Sequence, residues 1–134
     1  DPREMLTSLV KNIPNPTVEE TGLPQQVLLF RKIHANTGHV PPVLDSRDVL
    51  ENPRRLLSAL CDVIGIPFDE HMLHWPAGPR ETDGIWAKHW YASVERSTGF
   101  QPYTPKNEPV PDALRGPLDE CMTHYETLHQ HRLR

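Results

Sequence analysis

The sequence lacks any apolar run long enough to cross a lipid bilayer, and it contains only two cysteines among its 134 residues. Cys61 and Cys121 both lie within apolar helical patterns, which favours two buried free thiols over a disulfide and indicates a reducing compartment. No signal peptide is visible. Together these features predict a cytoplasmic location and no membrane partner.

The sequence also lacks an excess of positive charge, since 14 basic and 18 acidic residues give a net charge of -4. A protein that wraps DNA or RNA needs a concentrated positive field, so a nucleic-acid partner is not expected. This balance still allows one small anion pocket built from a few arginines. An apolar fraction of 37%, spread along the chain, is typical of a globular protein rather than a disordered one.

Zinc-site signatures are missing as well, because the chain has neither a Cys-x-x-Cys nor a His-Glu-x-x-His pattern. Among the eight histidines, His71 and His74 are three residues apart, and His124 and His131 are seven apart on a predicted helix. A helical histidine pair needs further ligands and a supporting shell to hold zinc. Solvated histidines on polar faces are the better interpretation, and no metal site is predicted.

Fifteen prolines divide the chain into short elements that are mostly helical. Capping residues and apolar spacing predict helices that begin at Pro2, Pro24, Asn52-Pro53, Phe68, Ile85 and Pro117. Val40–Leu44 is the only convincing strand, and its prolines restrict it to a strand start or an edge. Gly99–Pro111 is expected to be extended. One strand cannot form a sheet, so further strands are expected outside this chain.

The opening segment, Asp1-Pro2-Arg3-Glu4-Met5-Leu6-Thr7-Ser8, combines a helix start with a hydroxyl group two turns further on. A helix N-terminus gathers free backbone N–H groups and a partial positive charge, which favour a nearby phosphate. The Ser8 hydroxyl can donate a hydrogen bond to such an oxyanion. On composition alone, the simpler interpretation of Ser8 is an ordinary polar residue of a helix.

A second candidate segment runs Gly78-Pro-Arg-Glu-Thr-Asp-Gly-Ile-Trp-Ala-Lys-His-Trp90. Arg80 can offer a bidentate fork to a phosphate, and Gly84 lets the backbone approach one closely. Core packing is the expected role for at least two of three aromatic residues, Trp86, Trp90 and Tyr91.

The opening segment resembles the 3′-phosphate motif of sulfotransferases that use 3′-phosphoadenosine 5′-phosphosulfate (PAPS), members of the P-loop NTPase-like superfamily. Asp1, Pro2 and Ser8 fall in register with the family's Arg-(Asp/Asn)-Pro…Ser pattern, whose leading arginine would precede Asp1. The stretch from Val43 through the Asn52-Pro53 helix is similar to the family's strand, acidic-Leu turn and Pro-started helix. That stretch is structural in the family.

The later glycine-containing segment resembles the family's nucleotide loop, Arg-Lys-Gly-x-x-Gly-Asp-Trp-Lys-Asn-x-Phe. Gly84, Trp86 and Trp90 hold the places of the second Gly, the Trp and the Phe. Gly-Pro-Arg replaces the Arg-Lys-Gly triplet, and Lys88 sits one place late. The resemblance covers residues 1 to about 100. The combination of Asp83-Gly-Ile-Trp-Ala, Trp90-Tyr91 and Ser97-Thr98-Gly99-Phe100 resembles a divergent microbial or algal branch of the superfamily rather than the animal enzymes.

The resemblance implies that residues 1–134 form the C-terminal portion of one three-layer α/β P-loop domain, mostly α-helical with one or very few short strands. It implies transfer of a sulfuryl group from PAPS to a hydroxyl or amine acceptor, leaving adenosine 3′,5′-bisphosphate. Ser8, Arg80, Gly84 and Trp86 are the expected nucleotide-binding residues, with Ser8 on the 3′-phosphate. The phosphosulfate loop, its lysine and the general base belong to the family's earlier half, so this chain alone is expected to be inactive.

Two other functions stay open at this point. The proline-rich stretch Pro102–Pro111 suits a recognition segment of a non-catalytic helical interaction module, although a surface connection is the simpler interpretation. The departures around Arg80 also suit a degenerate sulfotransferase fold that binds a nucleotide or a partner without turnover. The acceptor and the oligomeric state are left unassigned, since acceptor pockets in the family use variable loops.

Overall fold

A computed structural model describes the backbone of all 134 residues and every side chain except that of Trp90. Its α-helices are α1 (Pro2–Leu9), α2 (Leu23–Thr37), α3 (Ser46–Glu51), α4 (Pro53–Ile64), α5 (Ala87–Trp90), α6 (Ala92–Glu95) and α7 (Arg115–His129). Short 3-10 turns cover Glu19–Thr21, Glu70–Leu73 and Asp112–Leu114. The mostly helical character predicted for the chain is therefore confirmed. None of the described helices combines the length and the hydropathy needed to span a membrane.

The chain divides into two compact units, the first made of Asp1–Arg47 with Thr104–Arg134 and the second of Asp48–Tyr103. In the first unit, α7 packs against α1 and α2. Val18, Leu23 and Cys121 form a buried cluster, and Met5 packs against it. Burial raises the pKa of the Cys121 thiol, because an apolar environment disfavours the thiolate.

The predicted capping signals of the first unit are confirmed. The Asp1 carboxylate accepts a hydrogen bond of 2.8 Å from the backbone N–H of Arg3 at the start of α1. Thr17 and Glu20 cap each other reciprocally, with distances of 2.8 and 3.3 Å between backbone nitrogens and side-chain oxygens. Gly22 follows at a φ of 73°, a left-handed conformation that glycine adopts without a steric penalty.

The second unit is built around α4, which begins and ends as predicted. Asn52 caps its first turn by accepting a backbone N–H, and Gly65 ends it at a φ of 74°. Leu56 and Cys61 are buried, which confirms the burial predicted for this cysteine; both cysteines of the chain are free thiols. Ile64, the last residue of α4, is 50% exposed.

Three predicted helices have different limits in the structure. The short helix expected from Phe68 is only the 3-10 turn Glu70–Leu73. The helix expected over Ile85 to Glu95 is two single turns, α5 and α6, because Tyr91 leaves the helical conformation at φ -96° and ψ 4°. The last helix begins at Arg115, two residues before Pro117, since a proline in the first turn removes no intrahelical hydrogen bond.

The strand predicted over Val40–Leu44 does not form. Only Val43 pairs, in an isolated parallel bridge with Arg132, where the N–H of Leu133 donates to the Val43 carbonyl oxygen over 2.9 Å. The two prolines that precede Val43 have no N–H to donate, so they cannot extend a ladder. Elsewhere in the described backbone there is one further isolated bridge and no ladder of several residues.

Candidate functional site

Ser8 lies in the last turn of α1, in the first unit, where its half-buried hydroxyl accepts a hydrogen bond from the ammonium group of Lys106. Because α1 ends at Leu9, the helix dipole places a partial negative charge near Ser8. The favourable charge expected from the helix N-terminus therefore does not act at this hydroxyl. The positive charge next to Ser8 comes from Lys106 instead.

The extended stretch from Thr104 to Pro111 lies along α1 and the residues just after it, through two contacts besides that of Lys106 with Ser8. The backbone N–H of Lys106 donates to Glu4 Oε1 over 3.3 Å, and Lys11 Nζ forms a 2.9 Å ion pair with Glu108 Oε1. Glu4 and Ser8 are four residues apart, so they share one face of α1. This part of the proline-rich segment therefore lies on the surface of the first unit.

Sequence reasoning does not find Lys106. It lies 98 positions from Ser8, in a segment without helical or strand periodicity that could orient its side chain. The sequence offers one signal for this residue. Lys106 is the single cation of the Pro102–Pro111 stretch, and Glu108 is the single acidic residue there.

In the second unit, the loop after the Glu70–Leu73 turn is anchored by Trp75. Its indole N–H donates to Ser97 Oγ over 2.9 Å, and its ring meets the Phe100 ring edge-on at 5.3 Å. His74 and Gly99 form an isolated antiparallel bridge beside it. A methyl group at Gly99 would lie 3.0 Å from the Leu73 carbonyl oxygen, so a larger residue here would require that carbonyl to shift by a few tenths of an ångström.

Arg80, Gly84 and Trp86 lie together in this second unit, within one exposed loop. The Arg80 N–H donates to Asp83 Oδ2 over 2.8 Å, and the Asp83 N–H donates back to the Arg80 carbonyl oxygen over 3.0 Å. These are contacts of the Arg80 backbone. The guanidinium group of Arg80 has no hydrogen-bond or ion-pair partner among the described residues. Open space surrounds Gly84, so an added Cβ would meet no neighbour there.

The expectation that at least two of the aromatic residues Trp86, Trp90 and Tyr91 pack in the core is wrong. Trp86 is 65% exposed and Tyr91 is 38% exposed, because α5 and α6 are single turns too short to present a buried face. The side chain of Trp90 lies outside the described residues. An exposed tryptophan in the same loop as Arg80 leaves a ring face accessible for contact with a ligand.

Among the described side chains, five of the eight histidines contact an acidic side chain or an aromatic ring: His34, His71, His124, His129 and His131. His71 Nδ1 lies 2.7 Å from Asp69 Oδ1, and hydrogen bonds from the backbone N–H and then the ring of His71 lower the pKa of Asp69. The His131 ring lies 4.9 Å from the Phe30 ring. The residues that the structure describes contain no group of three or more histidine, cysteine or acidic side chains placed to hold a metal ion.

The first unit also contains an apolar groove of about 250 Å³ between α2, the segment around Val43 and α7. Its lining includes Leu29, Phe30, Ile33 and Leu128, and no lysine or arginine. A phosphate needs hydrogen-bond donors and positive charge, so this groove does not fit the charged end of a nucleotide.

Comparison with known proteins gives two kinds of relative. A family described as a sulfotransferase domain matches residues 22–132, a range that includes Arg80 and Lys106 and begins after Ser8. The branched-chain-amino-acid aminotransferase-like proteins 1 and 2 of Arabidopsis thaliana are 36% and 32% identical over 133 and 131 residues. Each of these matches covers 98% of the chain and 23% of the relative's own length. No solved structure matches with comparable significance.

Both of these relatives come from a plant, so the narrower placement in a microbial or algal branch stays a prediction. The family match spans most of the chain and contains the loop with Arg80, Gly84 and Trp86. It agrees with the resemblance seen in the sequence motifs. The chain belongs to the sulfotransferase domain family.

Proposed function

We propose that this chain supplies part of the nucleotide site of an enzyme that transfers a sulfuryl group from PAPS to a hydroxyl or amine acceptor. The observation that carries the proposal is the pairing of the Ser8 hydroxyl with the Lys106 ammonium group on α1. A hydroxyl and a cation side by side are hydrogen-bond donors suited to a phosphate group. Membership of the sulfotransferase domain family supplies the reaction class.

In the proposed reaction, an acceptor oxygen or nitrogen attacks the sulfur atom, and the bond from sulfur to the bridging oxygen of the 5′-phosphate breaks. The acceptor loses its proton to a base outside this chain, and adenosine 3′,5′-bisphosphate leaves with the bonding electrons. The residues of this chain contribute by positioning the nucleotide rather than by proton transfer. Ser8 would donate to the 3′-phosphate.

Taken by itself, the loop of the second unit suits two kinds of contact with a nucleotide. The exposed Arg80 guanidinium presents a planar fork that matches two phosphate oxygens. The exposed Trp86 ring offers a flat surface for an adenine base, a kind of stacking that contributes about 1–3 kcal/mol per base. Gly84 separates the two and leaves room for a close backbone approach.

We further propose that residues 1–134 form the C-terminal portion of one α/β P-loop domain whose other strands lie elsewhere in the polypeptide. Membership of the sulfotransferase domain family supports this. Exposed apolar side chains on α2 support it too, since Leu28 is 69% and Leu29 is 57% exposed. The buried free thiols Cys61 and Cys121 favour the cytoplasm as its location.

The names of the plant relatives refer to an aminotransferase, but only 23% of each relative matches this chain. The family matched within the chain itself is the sulfotransferase domain, so the proposed reaction follows the family. A degenerate member that binds the nucleotide without turnover is the second candidate. The replacement of Arg-Lys-Gly by Gly-Pro-Arg before Glu81 favours that candidate.

The experiment combines calorimetric titration of the intact full-length protein with a transfer assay that uses sulfur-labelled PAPS and a panel of phenols, alcohols and amines. Binding of adenosine 3′,5′-bisphosphate together with label transfer supports the enzyme. Binding without transfer to any acceptor class supports the degenerate member. Absence of nucleotide binding would leave the interaction module as the better function.

A further inference from the structure

We propose that Lys106 is a second ligand of the 3′-phosphate, acting beside Ser8, and that it makes the site selective for nucleotides phosphorylated at the 3′ position. This inference rests on the proposed nucleotide function and deepens it. Lys106 comes from the irregular segment along α1, outside both motifs that resemble the family's nucleotide-binding segments.

The hydrogen-bonding capacity of the pair suits a phosphate. The Lys106 ammonium group has three N–H donors, and one of them is used on the Ser8 oxygen. The Ser8 hydroxyl accepts that bond, so its own proton is available for another acceptor. Two ammonium donors and one hydroxyl donor therefore remain next to each other, enough to contact more than one oxygen of the same phosphate.

The charges around the pair leave Lys106 able to attract an anion. Glu108 is paired with Lys11 over 2.9 Å, and Glu4 receives the backbone N–H of Lys106 over 3.3 Å. The partner of the Lys106 ammonium group among the described residues is the neutral hydroxyl of Ser8, with no carboxylate at ion-pair distance. Its positive charge is thus not cancelled by a direct ion pair, and its exposed side chain can be reached from solvent.

The segment that carries Lys106 is held in place from both sides. The bond to Glu4 fixes the Lys106 backbone, and the Lys11–Glu108 ion pair fixes the segment two residues later. Pro105 and Pro109 restrict the backbone on either side of these contacts. A ligand group that is already held near its bound position loses less conformational entropy on binding, so this arrangement favours Lys106 as a binding residue.

The test uses the full-length protein with Lys106→Gln, which keeps a polar side chain, one atom shorter than lysine, and removes the charge. Lys11→Gln is the matched control, because it breaks an ion pair that holds the same segment without changing the residue next to Ser8. Calorimetric titration with adenosine 3′,5′-bisphosphate and with adenosine 5′-monophosphate separates the 3′-phosphate from the rest of the nucleotide. Lys106→Arg tests whether a cation alone restores binding, and thermal unfolding shows whether each variant is folded.

We expect Lys106→Gln to weaken binding of the bisphosphate by about 10-fold or more, while Lys11→Gln, which loses only an exposed ion pair that holds the segment, weakens it by no more than about fivefold. Binding of the monophosphate should change by no more than about twofold in both variants. Lys106→Arg should recover most of the loss. The difference between wild type and Lys106→Gln should shrink as ionic strength rises, because salt screens an exposed charge.

Three results would overturn the inference. If the wild type binds the bisphosphate and Lys106→Gln binds it equally well, Lys106 is not a ligand and the proposed function stands. If Lys106→Gln and Lys11→Gln weaken binding equally, the segment supports the site only by its position. If the wild type fails to bind the bisphosphate, the proposed function itself is wrong, and Lys106 is not a ligand of a 3′-phosphate.

Discussion

The hydroxyl group of Tyr125 on α7 donates a 2.7 Å hydrogen bond to Oδ2 of Asp45, a carboxylate that is only 8% exposed. The other oxygen of Asp45 accepts the N–H of Arg47 over 2.9 Å at the start of α3. A buried carboxylate is stable only when its oxygens are hydrogen-bonded. Tyr125 therefore fixes the end of the segment that carries Val43 against α7.

Replacement of Tyr125 by phenylalanine should lower the free energy of unfolding by about 1.5–3 kcal/mol, because a hydrogen bond to a buried charged group is lost. Tyr91→Phe is the matched control, since Tyr91 is 38% exposed and has no such partner among the described residues. Urea unfolding followed by circular dichroism measures both. Equal stability of the two variants would show that the bond to Asp45 contributes nothing.

Substitution of two glycines by alanine tests how much the left-handed backbone conformation of one of them contributes to stability. Gly65 has a φ of +74° at the end of α4, whereas Gly84 has no left-handed φ, and neither would bring an added Cβ against a neighbour. Gly65→Ala should therefore cost about 1–2 kcal/mol of unfolding free energy, and Gly84→Ala less than about 0.5 kcal/mol. Chemical denaturation of both variants checks this, and an equal cost would contradict the assigned conformations.

The Cys121 thiol gives a pH-dependent signal, because burial raises its pKa above the ordinary value for a thiol. The folded state binds this proton more tightly than the unfolded state, so the contribution is fully present below about pH 8.5 and is lost as pH rises through the raised pKa. The unfolding free energy of wild type relative to Cys121→Ala should therefore fall between neutral and alkaline pH. A constant difference across that range would contradict the burial.

Chemical labelling tests the burial of both cysteine thiols without a change of pH. A thiol-specific reagent should modify Cys61 and Cys121 slowly in the native protein and rapidly in urea, since both are buried. Single-cysteine variants separate the two rates. Rapid labelling of the native protein at either position would show that the thiol is accessible.

Trp86 should contribute to the binding free energy of the nucleotide and not to the free energy of unfolding. Trp86→Ala is expected to change the unfolding free energy by less than about 0.5 kcal/mol, because this side chain is 65% exposed. It should weaken binding of adenosine 3′,5′-bisphosphate by about 1–3 kcal/mol through lost stacking. Ile85→Ala is the control, as the neighbouring Ile85 is 80% exposed and has no aromatic ring. Equal affinities of the two variants in calorimetry would remove Trp86 from the site.

The sequence predicts those parts of the fold that short-range chemistry decides. Asp1 and Asn52 cap their helices as expected, and Gly65 ends α4, because each of these interactions spans only a few residues. Val43 was placed in a strand from its neighbours alone, and its pairing partner Arg132 comes from the far end of the chain. Local pattern could not reveal that the pairing stops after one residue.

The residues of the candidate site also divide into those that the sequence predicts and those that depend on tertiary packing. The sequence predicts Ser8, Arg80 and Trp86 as site residues because they occupy positions of motifs, and a motif depends only on the order of residues along the chain. The contact of Lys106 with Ser8 depends on how the Thr104–Pro111 segment lies against α1, which no periodicity reports. The exposure of Trp86 also depends on packing, since an aromatic residue within an apolar pattern is equally suited to a core.

The central claim is that the Ser8 hydroxyl binds the 3′-phosphate of the nucleotide. Calorimetric titration of the full-length protein with adenosine 3′,5′-bisphosphate tests it most directly, with Ser8→Ala compared with Ser58→Ala, another half-buried helical serine. The account predicts that Ser8→Ala alone loses about 1.5–3 kcal/mol of binding free energy, roughly 10- to 100-fold in affinity. Unchanged affinity of Ser8→Ala for the bisphosphate would contradict the account.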